Sequence, residues 1–178
     1  MRRRERVMRL LSANEQILRF LVVFVLAFAA CYFLFSISPG VKAGVIKPYT
    51  EFLASAVAAF INLFGAGATA SGTQVSSAQF TIDIATGCDG VEASSLFVAG
   101  VLAFPTSWRV RMIGFALGIP AIHTINLFRL VGLYYAGVYL PSLFEELHVY
   151  VAQTIVILLS TAILILWLDR FAIQHRQS

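Results

Sequence analysis

The chain has 178 residues, of which 59% are hydrophobic and only 12% charged, and its mean hydropathy is +0.83. A soluble domain of this size needs far more polar surface, so composition places the chain in the membrane class. Its net charge of +4 is not a nucleic-acid footprint, because Arg2, Arg3, Arg4, Arg6 and Arg9 crowd the N-terminus and other basic residues flank apolar runs. That is the distribution of a topology signal, with membrane lipid rather than nucleic acid as the surrounding partner.

Residues 18–37 form the first apolar run, uncharged from Phe20 to Val41 and too long for the core of a signal peptide, so a retained anchor is expected. Cys31 lies inside it, which argues against pairing with Cys88, and the two cysteines lack metal-ligand spacing. Residues 45–64 place apolar side chains at helical spacing, with Lys47, Glu51, Ser55 and Asn62 on the opposite side. This pattern predicts an amphipathic helix lying along the interface. Gly65 to Gly72 reads as small and flexible, and the alternation of Phe80, Ile82 and Ile84 with Thr81, Asp83 and Ala85 predicts one strand of a short β-ribbon over about residues 73–86.

Residues 112–135 and 149–168 are each long enough to cross a bilayer, the former with Pro120 inside it. Residues 91–104 are shorter and cross only if their helix begins near Asp89. Trp108 and Trp167 fit interfacial belts. The predicted fold is an all-α integral membrane protein: one membrane domain over residues 1–178, about four transmembrane helices, an extracytoplasmic amphipathic helix and a short β-ribbon.

With a cytoplasmic N-terminus and four crossings, the inside holds Arg2, Arg3, Arg4, Arg6, Arg9, Arg19, Arg109, Arg111, Arg170 and Arg176 against Glu5, Glu15 and Asp169. The outside then holds Lys42 and Lys47 against Glu51, Asp83, Asp89, Glu92, Glu145 and Glu146. The basic residues set the direction, and both termini are expected in the cytoplasm. Under this topology Cys88, Arg129 and His148 all reach the outer surface. Arg129 is the one charged residue between Met112 and Phe144, and an arginine in an apolar span marks a functional cavity by default.

The three residue types suit acyl transfer. A cysteine thiolate attacks a carbonyl and is favoured beside a cation or at a helix N-terminus, which Asp89 could cap ahead of Gly90 and Val91. A guanidinium offers fixed donors to an oxyanion, and histidine takes and returns a proton near neutral pH. Asn126, one turn from Arg129, can orient the guanidinium or simply pack the bundle; Glu92 reads as a capping residue. His123 is mid-span, where helix packing and a proton relay are equally open. There is no His-Glu-x-x-His and no Gly-x-Ser-x-Gly, so zinc-protease and serine-hydrolase readings have no support.

The stretch Gly87-Cys88-Asp89-Gly90-Val91-Glu92-Ala93 resembles the nucleophile motif of the exosortase/archaeosortase family. Asn126-Leu127-Phe128-Arg129 resembles its arginine motif, and Phe144-Glu145-Glu146-Leu147-His148-Val149-Tyr150 its histidine motif. Order and spacing agree from about Phe80 to Leu168, and the Gly-Val-Glu-Ala run looks most like the exosortase H subgroup. Asp89 departs from the pattern, where Ser or Asn is expected. The resemblance implies a cysteine transpeptidase or protease of the bacterial cytoplasmic membrane, with no metal and no cofactor. It implies exported proteins as substrates, each with a C-terminal sorting signal made of a short motif, a transmembrane helix and a basic tail, and an acceptor nucleophile that the residues do not specify. The competing reading is a non-catalytic assembly subunit or small transporter in which Arg129 pairs structurally with Glu92 or Asp89.

Overall fold

The computed structural model describes residues 2–173, so Arg176 and His175 lie outside the described residues. Helix α1 (Arg2–Tyr32) runs on through a π-helical turn, Phe33–Ile37. It stops at Ser38, which is extended (ψ 116°) because Pro39 follows and disfavours the helical conformation before it. The apolar part, Asn14–Ile37, buries none of its most apolar stretch inside the protein, as an anchor facing lipid should. Phe20, Phe24, Phe28 and Tyr32 stack along one edge at centroid spacings of 6.1, 6.4 and 6.2 Å.

The chain becomes helical again at Pro39–Val41, passes a second π turn at Lys42–Ile46 and enters α2 (Lys47–Asn62). The expected amphipathic face is present but rotated: Thr50, Leu53, Ala54, Val57, Ala58 and Ile61 are buried, while Phe52, Leu63 and Phe64 stay exposed. Pro39–Asn62 is also longer than expected, and its length and composition suffice for a crossing. Tyr49 meets His123, Phe60 meets Phe128 and Phe64 meets Tyr135 at ring centroids of 5.2, 5.5 and 6.5 Å, so α2 runs in the same direction as the helix it packs on.

The sheet has three antiparallel strands in the order β1 (Thr69–Ser71), β2 (Gln74–Ser76) and β3 (Thr81–Asp83). Strand β1 falls in the stretch expected to be flexible. Three small residues leave no alternation to read, and the strand is made by backbone pairing across Gly72, whose φ of +60° turns the hairpin. Asn62 anchors the approach, its amide donating to the Ala68 carbonyl (2.8 Å) and accepting from the Ala68 N–H (2.7 Å).

Helix α3 (Val91–Ala103) has 13 residues, about 20 Å at about 1.5 Å per residue, and so falls short of the roughly 30 Å core that the 91–104 expectation required. It starts at Val91 rather than near Asp89 because Gly90 is left-handed (φ +82°). Helix α4 (Trp108–Tyr139) returns antiparallel to it and runs through Pro120 unbroken. The Arg111 guanidinium donates to the Phe104 carbonyl (3.2 Å), Gly118 seats the Phe97 ring, and Gly90 lies against Asn126. A 3₁₀ turn (Pro141–Leu143), a helical turn (Phe144–Glu146) and a π turn (Leu147–Ala152) lead into α5 (Gln153–Trp167). The long apolar segments are therefore Asn14–Ile37, Pro39–Asn62, Trp108–Tyr139 and Gln153–Ala172, and the last lies about four residues beyond the expected 149–168. Trp108 is exposed as a belt residue would be, but Trp167 is buried against Gly114 and donates to the Val110 carbonyl (3.1 Å).

Two cores result. One joins α2, the sheet and Leu130 to Tyr134 of α4; the other joins α3, the first half of α4, and α5. Gly118→Ala would drive a methyl into the Phe97 ring, which is fully buried and has no room to move. We expect that variant to lose about 1–3 kcal/mol. Gly132→Ala, with nothing within 4 Å, should gain roughly 0.5–1 kcal/mol from helix propensity. Thermal unfolding in detergent should separate the two in opposite directions.

Candidate active site

The site forms where the two cores meet. A tight turn, closed by the Cys88 N–H donating to the Ala85 carbonyl (3.0 Å), delivers Cys88 to the head of α3. The Asp89 carboxylate accepts from the Val91 N–H (3.0 Å) and so caps the helix entry as expected. Gly90 allows the close approach: a Cβ there would meet the Asn126 side chain at 3.2 Å, and φ is positive. Asn126 is fully buried and donates to the Cys88 carbonyl (2.9 Å).

Arg129 sits one turn further along α4. One guanidinium nitrogen donates to the Asn126 side-chain oxygen (3.2 Å) and reaches the Cys88 carbonyl at 3.5 Å; the other is 3.8 Å from Cys88 Sγ. His148 arrives from the far side on the π turn, its Nε2 3.1 Å from Cys88 Sγ and its ring against Phe144 (5.6 Å). A π turn adds a residue to the helical repeat and re-aims the side chains on it, a device common at functional sites.

Cys88, Arg129 and His148, separated by up to 60 positions in the chain, thus meet around one sulfur, and Asn126 and Asp89 support them. Glu92 does less. Its carboxylate lies near Gly87, 3.8 Å from where a Cβ would be, and makes no cap. Among the described residues the one ion pair is Lys47–Glu51 (4.0 Å), so Arg129 is bound to neither Glu92 nor Asp89. Among the described residues no group of three or more His, Cys, Asp or Glu side chains could hold a metal ion, and both cysteines are free thiols.

The acid next to the cysteine is buried. Asp89 is 1% exposed, and one of its oxygens has no hydrogen-bond partner. Burial pushes its carboxyl above the ordinary carboxylate range, against the Val91 and Asp89 N–H groups and the Arg129 guanidinium, which pull it down. The sequence marks Tyr49 only by its place on the amphipathic face, yet its hydroxyl lies 3.3 Å from the Asp89 carbonyl and 2.7 Å from His123 Nδ1. Its contact with the turn joins positions 40 apart, and no local pattern announces that.

The transmembrane exosortase (EpsH) family model matches residues 16–170. The chain belongs to the transmembrane exosortase family. No curated protein and no solved structure gives a match.

A raised carboxyl pKa binds protons more tightly in the folded state than in the unfolded one. Asp89 therefore favours folding below its unfolded value and loses that contribution as pH rises through the window up to its folded value. Asp89→Asn keeps the acceptor for Val91 and carries no charge. Its unfolding midpoint in detergent, relative to wild type, should rise between pH 4 and pH 8; a difference independent of pH would contradict the assignment.

Proposed function

We propose that this protein is a membrane-embedded cysteine transpeptidase or protease that cleaves the C-terminal sorting signals of exported proteins through a thioester. The observation that carries the reading is the 3.1 Å contact between Cys88 Sγ and His148 Nε2, with the Arg129 guanidinium 3.8 Å from the same sulfur. Family membership supports the class of chemistry. The competing subunit or transporter reading needs Arg129 tied to a carboxylate, and its guanidinium instead lies against Asn126 and Cys88.

In the proposed reaction His148 takes the thiol proton, and Cys88 Sγ attacks the peptide carbonyl at the sorting motif. The C=O electrons move onto oxygen, and Arg129 holds the oxyanion with charged, rigid donors. The Cys88 N–H is committed to Ala85, so it is not available for that task. The oxyanion collapses, the C–N bond breaks, and His148 returns the proton to the leaving amine. An acceptor nucleophile, or water, then attacks the thioester as its proton passes to His148; the C–S bond breaks, and His148 returns that proton to the Cys88 thiolate. Asn126 serves by holding the cysteine carbonyl and the guanidinium in register.

The proposed setting is the bacterial cytoplasmic membrane, with both termini in the cytoplasm and the site on the outer face, and with α3, antiparallel to α4, as a short return leg. The support is electrostatic and geometric: Arg109, Arg111 and Arg170 lie at the end of the bundle opposite Cys88, as the charge asymmetry requires. A membrane-impermeant thiol reagent added to spheroplasts should modify Cys88 and leave Cys31 untouched; labelling of Cys88 only after lysis would reverse the orientation.

Catalysis is tested by co-expression with a sorting-signal substrate and mass spectrometry of both proteins. Cys88→Ala should leave the substrate uncleaved. Arg129→Lys should remain in the membrane but lose about 10²–10³ in rate, since an ammonium cannot supply the planar donor fork. Cleavage persisting in Cys88→Ala, with the host's other processing enzymes deleted, would eliminate the covalent mechanism.

A further inference from the structure

Behind the nucleophile turn, away from Arg129 and His148, a second polar cluster lines a cavity of about 410 Å³ whose walls are otherwise largely apolar, with Cys31, Phe35, Ile46, Val98 and Ile119 among them. Tyr49 on α2, His123 on α4 and Ser94 on α3 meet there. The Tyr49 hydroxyl lies 2.7 Å from His123 Nδ1, Ser94 Oγ lies 3.3 Å from His123 Nε2, and the Tyr49 hydroxyl is 3.3 Å from the Asp89 carbonyl. Three helices thus contribute one group each to a single chain ending on the residue after Cys88.

The protons in that chain can be counted. A backbone carbonyl only accepts, so the Tyr49 proton must be spent on Asp89 O. The tyrosine oxygen then has to accept from His123, which places an N–H at Nδ1. No carboxylate is within hydrogen-bonding reach of either imidazole nitrogen among the described residues, and an unpaired cation facing an apolar cavity is costly. The imidazole is therefore neutral, Nε2 is bare, and Ser94 donates to it. Every group is satisfied once and in one direction. The opposite tautomer would spend the Tyr49 proton on His123 and leave the Asp89 carbonyl without its side-chain donor.

We infer that Tyr49, His123 and Ser94 are positioning residues for the nucleophile, a one-way chain from Ser94 through His123 and Tyr49 to the Asp89 carbonyl that holds the Cys88 turn from behind. Asn126 holds the adjacent Cys88 carbonyl from the other side, so two consecutive peptide carbonyls are fixed by two helices. The inference rests on the reading of Cys88 as the reacting group, and it adds three residues that touch neither sulfur nor substrate. Fixing the turn this way sets the direction in which Sγ projects between His148 and Arg129, where a small misplacement is expensive.

The tautomer is read directly in the wild-type protein. Nitrogen-15 NMR of histidine-labelled protein in detergent, with the His123 signals assigned by their loss in His123→Gln, should show the proton on Nδ1 and a bare Nε2. A proton on Nε2, or on both nitrogens, overturns the chain. The positioning role is read in a Cys31→Ser background as the alkylation rate of Cys88, which needs no substrate. Tyr49→Phe and Ser94→Ala should slow it about 2- to 10-fold, the size of one lost hydrogen bond, while Ser94→Thr, which keeps the hydroxyl, should restore it. Cleavage of a sorting-signal peptide should show the same loss in kcat with KM unchanged. Unaltered alkylation and kcat in Tyr49→Phe, with wild-type cleavage intact, would overturn the inference and leave the proposed function standing. Slowed alkylation, with no cleavage by wild type under any condition, would support the positioning chain and remove the proposed function.

Discussion

The hydrogen bond from the Asn126 amide to the Cys88 carbonyl is the constraint around which the site is built. Asn126 has no exposure at all, so an unpaired amide there would cost the full desolvation of a polar group. Its partner can approach only because Gly90 has no Cβ and adopts a left-handed backbone. The same side chain accepts from Arg129, so one amide fixes both the cysteine and its cation. Loss of this contact would free the α3 entry and the guanidinium together, which is why Asn126 belongs with the site although it touches no sulfur.

The protein solves a mechanical problem at this point. A turn, a helix and the entry to another helix must bring side chains within about 3–4 Å of one atom, and regular α-helices offer only fixed increments of rotation. A left-handed glycine ends the β-ribbon turn on one side, and a π turn carries His148 on the other. Both are local departures from regular geometry placed where Cys88, Arg129 and His148 converge. Away from the site the packing is ordinary: Gly100, Gly114, Gly118 and Gly137 let Leu164, Trp167, Phe97 and Phe80 approach a neighbouring backbone, the small-residue packing that membrane bundles use.

Depth also matters. Asn126, against Gly90, lies 13 residues short of the end of α4 at Tyr139, so about 20 Å of helix rises beyond that contact. That upper portion carries the sheet, held by the Tyr134 hydroxyl donating to Ser77 Oγ (2.7 Å) and by Phe80 seated on Gly137. The α2 helix flanks it, with Phe52, Leu63 and Phe64 exposed. Cys88 is thus half-buried beneath the sheet rather than displayed at the top of the bundle, and in the proposed reaction that favours exclusion of bulk water from the thioester.

Membrane class, the apolar anchor, the long proline-containing helix and the identity of the Cys88, Arg129 and His148 cluster were legible in the chain, because hydropathy and charge asymmetry act through composition and order alone. The same reasoning misplaced elements whose form depends on partners. Strand β1 exists through backbone pairing and carries no pattern of its own; α3 is cut short by a glycine conformation; α2 turns its buried face to the sheet and to α4, which no periodicity could name. Trp167 has the composition of a belt residue, yet it is buried because Gly114 leaves room for it. Tyr49 is the sharpest case. Its residue type and spacing say only that it belongs to an amphipathic helix, and its contact with Asp89 and His123 arises from how three helices pack. Sequence determines what each segment can bury and which groups must avoid lipid; the distances around Cys88 are set only when non-local helices fix one another, since that free energy resides in contacts between residues the chain does not place side by side.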